Sequence, residues 1–347
     1  MVDMDIFSVL YTGADRAIAA ELQRLADLVG VDFTCEPRTS IRISHAQEDD
    51  SASPIVSRQS MAVLYFNDAP TPGQVEAQFH EMFAPYFPRG KVRLHPREDS
   101  SEILELMAAV GATVRGRVVG VLGAHGGAGT STIAAWLARI FAREESAGLI
   151  DLNPSSVGID QLLAIETAPG KRWADLLGSG AVLAGRLNDV LPIWHAVRVV
   201  SADERGAVPN MEAGARVIAA LSQVQPWTIL DLPTYAGVPG TAEHSLVEWC
   251  DILVLLTKTD AVSLAHAACR ITHISQQVLV VANGISGSFH SAHIAHSVGV
   301  EQVLSVRHIR GMAADIDHGV SPGDRSRAAM AKDIRKICQH IRDQISA

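Results

Sequence analysis

From residue 118 onward, short apolar runs alternate with longer stretches patterned for helices. The runs 118–122, 149–152, 227–232, 251–257 and 278–283 are rich in Val, Ile and Leu and break off at glycine or polar residues. Runs of this length without alternation predict strands buried on both faces, as in a parallel sheet. Residues 133–138 continue the first run as a helix. Near the end, residues 328–341 place Met330, Ile334, Ile337, Cys338 and Ile341 on one helical face, with Lys332, Arg335, Lys336 and Arg342 around it. That stripe is β-branched and lacks Phe or Trp, so it predicts a helix covering the sheet rather than one lying on a membrane.

The first third is patterned more weakly. Residues 7–11, 31–35, 61–66 and 92–95 read as strands, 17–26 and 102–107 as helices, and 48–54 as a polar surface loop. The alternation predicts a small parallel α/β unit. The pattern changes near residues 113–117, which divides the chain into domains 1–114 and 115–347.

Composition narrows the class. The 347 residues suffice for two domains with a substantial core. Although 48% of them are hydrophobic, no apolar stretch approaches the ~18 residues needed to span a bilayer. The acidic start Met1-Val2-Asp3-Met4-Asp5 lacks the basic segment of a secretory signal. Cys35, Cys250, Cys269 and Cys338 show no metal spacing and predict reduced, buried thiols in a cytoplasm. A net charge of −9 argues against nucleic-acid binding by the chain as a whole. His290, His293 and His296 have helical spacing and read as a solvated helix face.

The candidate chemistry begins where the first run ends. Gly126, Gly127, Ala128 and Gly129 form a glycine-rich turn, and Thr130, Ser131 and Thr132 open the following helix. Backbone N–H groups of such a turn and a helix N-terminus converge on an anion, and glycines permit close approach. A working phosphate loop places a lysine on the β/γ-phosphates just before the Ser/Thr that holds Mg²⁺. Here Thr130 occupies the lysine position and Ser131 the Mg²⁺ position. One βα unit later, a strand ends in Asp151, followed by Asn153. Another ends in Asp231, and the last in Asn283.

In this order the motifs resemble the MinD/ParA P-loop ATPases, and most closely the CpaE/TadZ branch with its actinobacterial septum-site-determining (Ssd) proteins. The resemblance runs from about residue 117 to the end. It implies a doubly wound, mostly parallel sheet with a nucleotide cleft at the strand C-termini. It further implies ATP or ADP on 126–132, Asn283 near the adenine, and Mg²⁺ held by Ser131 and Asp231. His125 stands where the family carries its second, cross-subunit lysine. Asn153 stands where a switch-region acid orients the attacking water, and an amide cannot take up a proton as a carboxylate does. With His125, Thr130 and Asn153 all weakened, the resemblance implies weak nucleotide binding and little or no hydrolysis. No catalytic residue is assigned.

By the same resemblance, domain 1–114 is a receiver-like (pseudo-receiver) module. Tyr11-Thr12-Gly13 offers no acidic pair, and His95 replaces the lysine before a late, cis-type proline, Pro96. Phosphorylation of Asp68 is therefore not expected, and docking or dimerisation is the better use. The implied protein is a homodimeric scaffold. It would organise division or pilus-secretion machinery and be cytoplasmic, with recruitment to septum, pole or the inner membrane face and at most peripheral membrane contact. Trp173 reads as a core aromatic. Two alternatives remain open: an active ATPase in which His125, Arg115 or Arg117 supplies the lost charge, and a protein-interaction module with an empty cleft.

Overall fold

A computed structural model describes residues 7–29, 31–36, 62–79, 92–113, 115–176, 182, 184–208, 210–285, 291–308, 311–324 and 329–346. The polar segment 48–54 and His290 lie outside them. The chain forms two compact units, Met1–Arg115 with Leu183–Arg186, and Gly116–Val182 with Leu187–Ala347.

The first unit contains β1 (Phe7–Thr12), α1 (Arg16–Val29), β2 (Asp32–Glu36), β3 (Ala62–Asp68), β4 (Val75–Phe79), β5 (Val92–Leu94) and α2 (Ser100–Thr113). Its five strands pair in the order β2-β1-β3-β4-β5. β1 runs parallel to β2 and β3, but β4 is antiparallel to both its neighbours, so the sheet is mixed rather than parallel. The cause is local. Pro70, Pro72 and Gly73, the last at φ 82°, fold 69–74 into a tight turn closed by Ala69 N–H on the Gln74 carbonyl at 3.0 Å. No room is left for a crossover helix between β3 and β4. Val9, Tyr11, Leu22, Leu25, Leu64, Phe66, Ile103 and Met107 form the core. The His95–Pro96 bond is trans, against the expectation at that position.

Among the described residues, the second unit is built on eight strands. β6 (Arg117–Gly123), α3 (Thr130–Phe141), β7 (Ala147–Asp151) and α4 (Asp160–Leu163) come first, followed by α5 (Ala184–Val190), which straddles the unit boundary. Next are β8 (Ile193–Trp194), β9 (Val197–Val200), α6 (Met211–Val224), β10 (Trp227–Asp231), β11 (Ile252–Thr257) and α7 (Ala261–Ile271). β12 (Val278–Ile285), α8 (Ser291–Val298), β13 (Val303–Arg307), α9 (Met312–Asp317) and α10 (Ala329–Ser346) complete it. The sheet order is β13-β12-β11-β6-β10-β7-β9-β8, parallel throughout except for the two-residue β8. That edge strand returns through His195 and Ala196, both at positive φ (46° and 66°) as a two-residue hairpin requires.

The expected apolar runs are these strands, and β7, β10 and β11 are buried at every position. On β6, Val119 and Val121 face the cluster formed with α3 and α10. The α10 stripe is consumed there: Met330, Ile334, Ile337, Cys338 and Ile341 are all buried, worth about 1.5–3 kcal/mol per large side chain. Lys332, Arg335 and Lys336 stay exposed. No described helix is long and apolar enough to cross a membrane. Because the strands are parallel, the ends of β6, β7, β10, β11 and β12 share one edge, and the sequence's polar strand-end residues gather along it.

Candidate phosphate-binding site

β6 ends at Gly123 and α3 begins at Thr130, so residues 124–129 form the turn between them. The turn is tied to the sheet by Ala124 N–H on the Leu256 carbonyl at 2.8 Å. Gly127 (φ 72°) and Gly129 (φ 94°) take backbone conformations that side chains disfavour. A Cβ on Gly126 or Gly127 would meet nothing within 4 Å, so this part of the loop faces open space. Gly129 caps α3 without any side-chain hydrogen bond. The first-turn N–H groups therefore stay available, and the helix dipole adds a positive potential.

The side chains are arranged around this backbone cradle. Ser131 is exposed at its mouth, whereas Thr130 turns its Oγ1 back toward Gly123, 2.8 Å from where a Cβ would stand. His125 uses Nδ1 against the Gly126 carbonyl at 2.8 Å. Asn283 donates from Nδ2 to the Ala128 carbonyl at 2.7 Å, so it touches the loop itself. Arg117 cannot stand in for the missing lysine. It opens β6 at the end opposite the loop, about 20 Å away at strand rise, and its guanidinium lies over the Trp227 ring at 5.0 Å.

Beside the loop, the structure brings together two acids. Asp151 and Asp231 are register partners on β7 and β10, and both are buried. Asp151 accepts the Ser156 hydroxyl at 2.5 Å and Asn153 N–H at 3.2 Å. The Ser131 hydroxyl lies near enough to Asp231 to favour its charged form. Burial raises both carboxyls above the ordinary range, and the Asp151 charge raises Asp231 further. Two adjacent buried carboxylates with a hydroxyl beside them form a hard-oxygen donor set that suits a divalent cation such as Mg²⁺. Sequence reasoning had placed Asp231 and Ser131 there but kept Asp151 apart in the switch region. Asn153 closes a local turn, its Oδ1 accepting Ser155 N–H at 3.0 Å.

A buried clamp behind Asp151 was missed altogether. Trp173 is a core residue, 1% exposed, and its indole N–H donates to the Asp151 carbonyl at 2.7 Å. Arg172 pairs with Asp160 at 2.5 Å and also donates to the carbonyls of Gly170, Ile165 and Ala168. Ser201 and Ser321 fasten the Asp160 N–H and the Leu163 carbonyl. The spacing of Asp160 and Arg172 was the only signal, and it is not diagnostic in a sequence. Two further expectations change. Cys250 and Cys338 are buried, with burial pushing the Cys338 thiol up, but Cys35 and Cys269 are exposed because they sit on a strand end and a helix's outer face. His293 and His296 are exposed on α8.

Two uncharacterized Mycobacterium tuberculosis proteins, from strains CDC 1551 / Oshkosh and H37Rv, each match with 32% identity over 256 residues, covering 69% of either chain. The chain belongs to their family. No protein-family profile matches it. The fold of this chain is like that of MinD and ParA family ATPases. A ParA family ATPase from Chlorobium tepidum superposes with TM-score 0.57 at 17% identity, covering 65% of this chain and 99% of its own. MinD from Aquifex aeolicus gives 0.53 at 15%, covering 65% and 97%. MinD from Pyrococcus horikoshii, solved with Mg-ADP, gives 0.51 at 14%, covering 65% and 95%. At such identities the likeness is one of fold.

Proposed function

We propose that the protein is a MinD/ParA-type spatial organiser that binds an adenine nucleotide weakly and hydrolyses it slowly or not at all. The observation that carries this reading is the contrast within one site. The main-chain cradle of 126–132 is complete, while the side chains that would stabilise a transferring phosphoryl group are replaced. Thr130 faces back toward β6 and offers no charge, His125 is shorter than a lysine, and Asn153 is spent on a turn. Each lost charge-stabilising donor costs on the order of 10²–10³-fold in comparable sites. Binding depends on other parts: the uncapped α3 N-terminus would receive phosphate oxygens, and Ser131, Asp231 and Asp151 would hold Mg²⁺. Bound there, Mg²⁺ would neutralise phosphate charge.

In this reading the protein is a homodimer of the CpaE/TadZ branch, related to septum-site-determining proteins, and its partners are division or pilus-secretion proteins. A MinC:MinD complex from Aquifex aeolicus has the same fold, which supports a partner-binding role. The N-terminal unit acts as a pseudo-receiver for docking. Its Asp68 carboxylate is already engaged by the Tyr11 hydroxyl and by Ala14 N–H at 3.0 Å. Calorimetry with Mg-ATP, paired with a phosphate-release assay, tests the proposal. Binding without brisk turnover is expected. No heat at millimolar ATP, or fast turnover, would overturn it.

A further inference from the structure

Asn283 sits at a deliberate irregularity. β12 pairs with β13 in regular register up to Asn283 opposite Val306, then shifts so that Ile285 faces Arg307. The extra residue, Gly284, has φ 80°, a conformation glycine adopts without strain. A bulge of this kind bends the strand and re-aims the side chain beside it. Here it delivers the Asn283 amide to the phosphate loop, 155 residues away in sequence, where Nδ2 donates to the Ala128 carbonyl. The identity of the donor atom follows from the partner, since a carbonyl only accepts. The contact is close: Nδ2 lies 2.4 Å from where a Cβ on Gly129 would be, so a side chain there would push Asn283 aside, and the φ of 94° already favours glycine.

We infer that Asn283 is a positioning residue that holds the phosphate cradle in shape, not a reader of the nucleotide base. The inference rests on the reading of 126–132 as a phosphate site. Asn283 occupies the Ala128 carbonyl and so ties the middle of the loop to the end of β12. Gly126 and Gly127 have no packing neighbours of their own within 4 Å of a would-be Cβ. Without Asn283, the flexible glycines would have to be ordered by the ligand itself, at the ligand's entropic expense.

The test compares Mg-ATP with Mg-tripolyphosphate, a probe that has no base, on wild type and Asn283→Ala. The expected result is that both ligands weaken together, by about tenfold for one lost hydrogen bond. Hydrogen exchange in the ligand-free protein gives a second readout: amides 126–132 should exchange faster in the variant while the unfolding midpoint stays unchanged. Asn283→Leu, similar in size but unable to donate and uncharged, should behave in the same way, and it serves if the alanine variant folds poorly. Loss of ATP affinity with tripolyphosphate unaffected would overturn the inference and make Asn283 a base reader. Unchanged binding and unchanged loop exchange would overturn it as well. If wild type binds neither probe, the phosphate-site proposal fails, and the exchange comparison alone decides whether Asn283 braces the loop.

Discussion

Asp151 and Asp231 share a problem that neither has alone. Burial raises both carboxyls, to about 6 for Asp151 and about 8 for Asp231, and the Asp151 charge adds to the rise at Asp231. The folded protein thus retains protons that the unfolded chain has released above the ordinary carboxylate range. This contribution is complete at low pH and is lost as pH rises through those two values. In metal-free buffer, thermal stability should fall between about pH 5 and about pH 8, and Asp231→Asn should remove most of that fall. A wild-type midpoint that stays flat over this range would show that the two carboxyls are not raised. Thr130→Lys tests the neighbouring position. A charge-assisted contact should tighten nucleotide binding by about tenfold, read by calorimetry, with little turnover because Asn153 still lacks a carboxylate. The glycine loop was legible in the sequence because its signal is local. The acid pair was only half legible, since strand register brings its members together.

Among the elements, the segment from Asp160 to Trp173 is held from within by a buried ion pair. That pair is only 5% and 7% exposed, and the hydrogen bonds of Arg172, Trp173, Ser201 and Ser321 fasten the segment further. Arg172→Ala should strand the Asp160 carboxylate in a low-dielectric site and cost about 3–5 kcal/mol, measured by urea unfolding. The double change Asp160→Leu with Arg172→Met should cost much less, because no charge is then left unpaired. Equal losses for both variants would show that packing, not charge, is what matters there. Helices and long apolar strands were read well from periodicity, α10 above all. β4 was not, because its Glu76 and Gln78 interrupt the apolar pattern and a proline-glycine turn replaces the helix that alternation led us to expect.

At the scale of the second unit, the parallel order of the sheet puts every loop of chemical interest on one edge. Val157, Tyr235 and Val262 are 77%, 61% and 68% exposed on the segments that follow β7, β10 and β11. This apolar rim suits a second copy of the chain, whereas His125 is shorter than a lysine and has less reach across such an interface. Sedimentation should therefore find a dimer with or without ATP, and Tyr235→Asp with Val262→Asp should shift it toward monomer. A protein that is monomeric when empty and dimerises sharply on adding ATP would contradict this. Doubly wound topology was expected from the family resemblance that the order of the motifs carries, but the exposure of the rim was not legible, because exposure depends on how loops leave the sheet.

The cradle of 126–132 is made almost wholly of main chain. Side-chain chemistry can be erased by one codon change, but a peptide N–H is present whatever residue carries it, proline excepted. A site of this kind loses its function in a fixed order under drift. Reactivity disappears first, since it resides in replaceable groups such as those at positions 125, 130 and 153. Affinity for an anion disappears last, when Gly127 or Gly129 can no longer take its backbone conformation. Descendants that have stopped being enzymes would then keep a working receptor, ready to be put to use as a sensor.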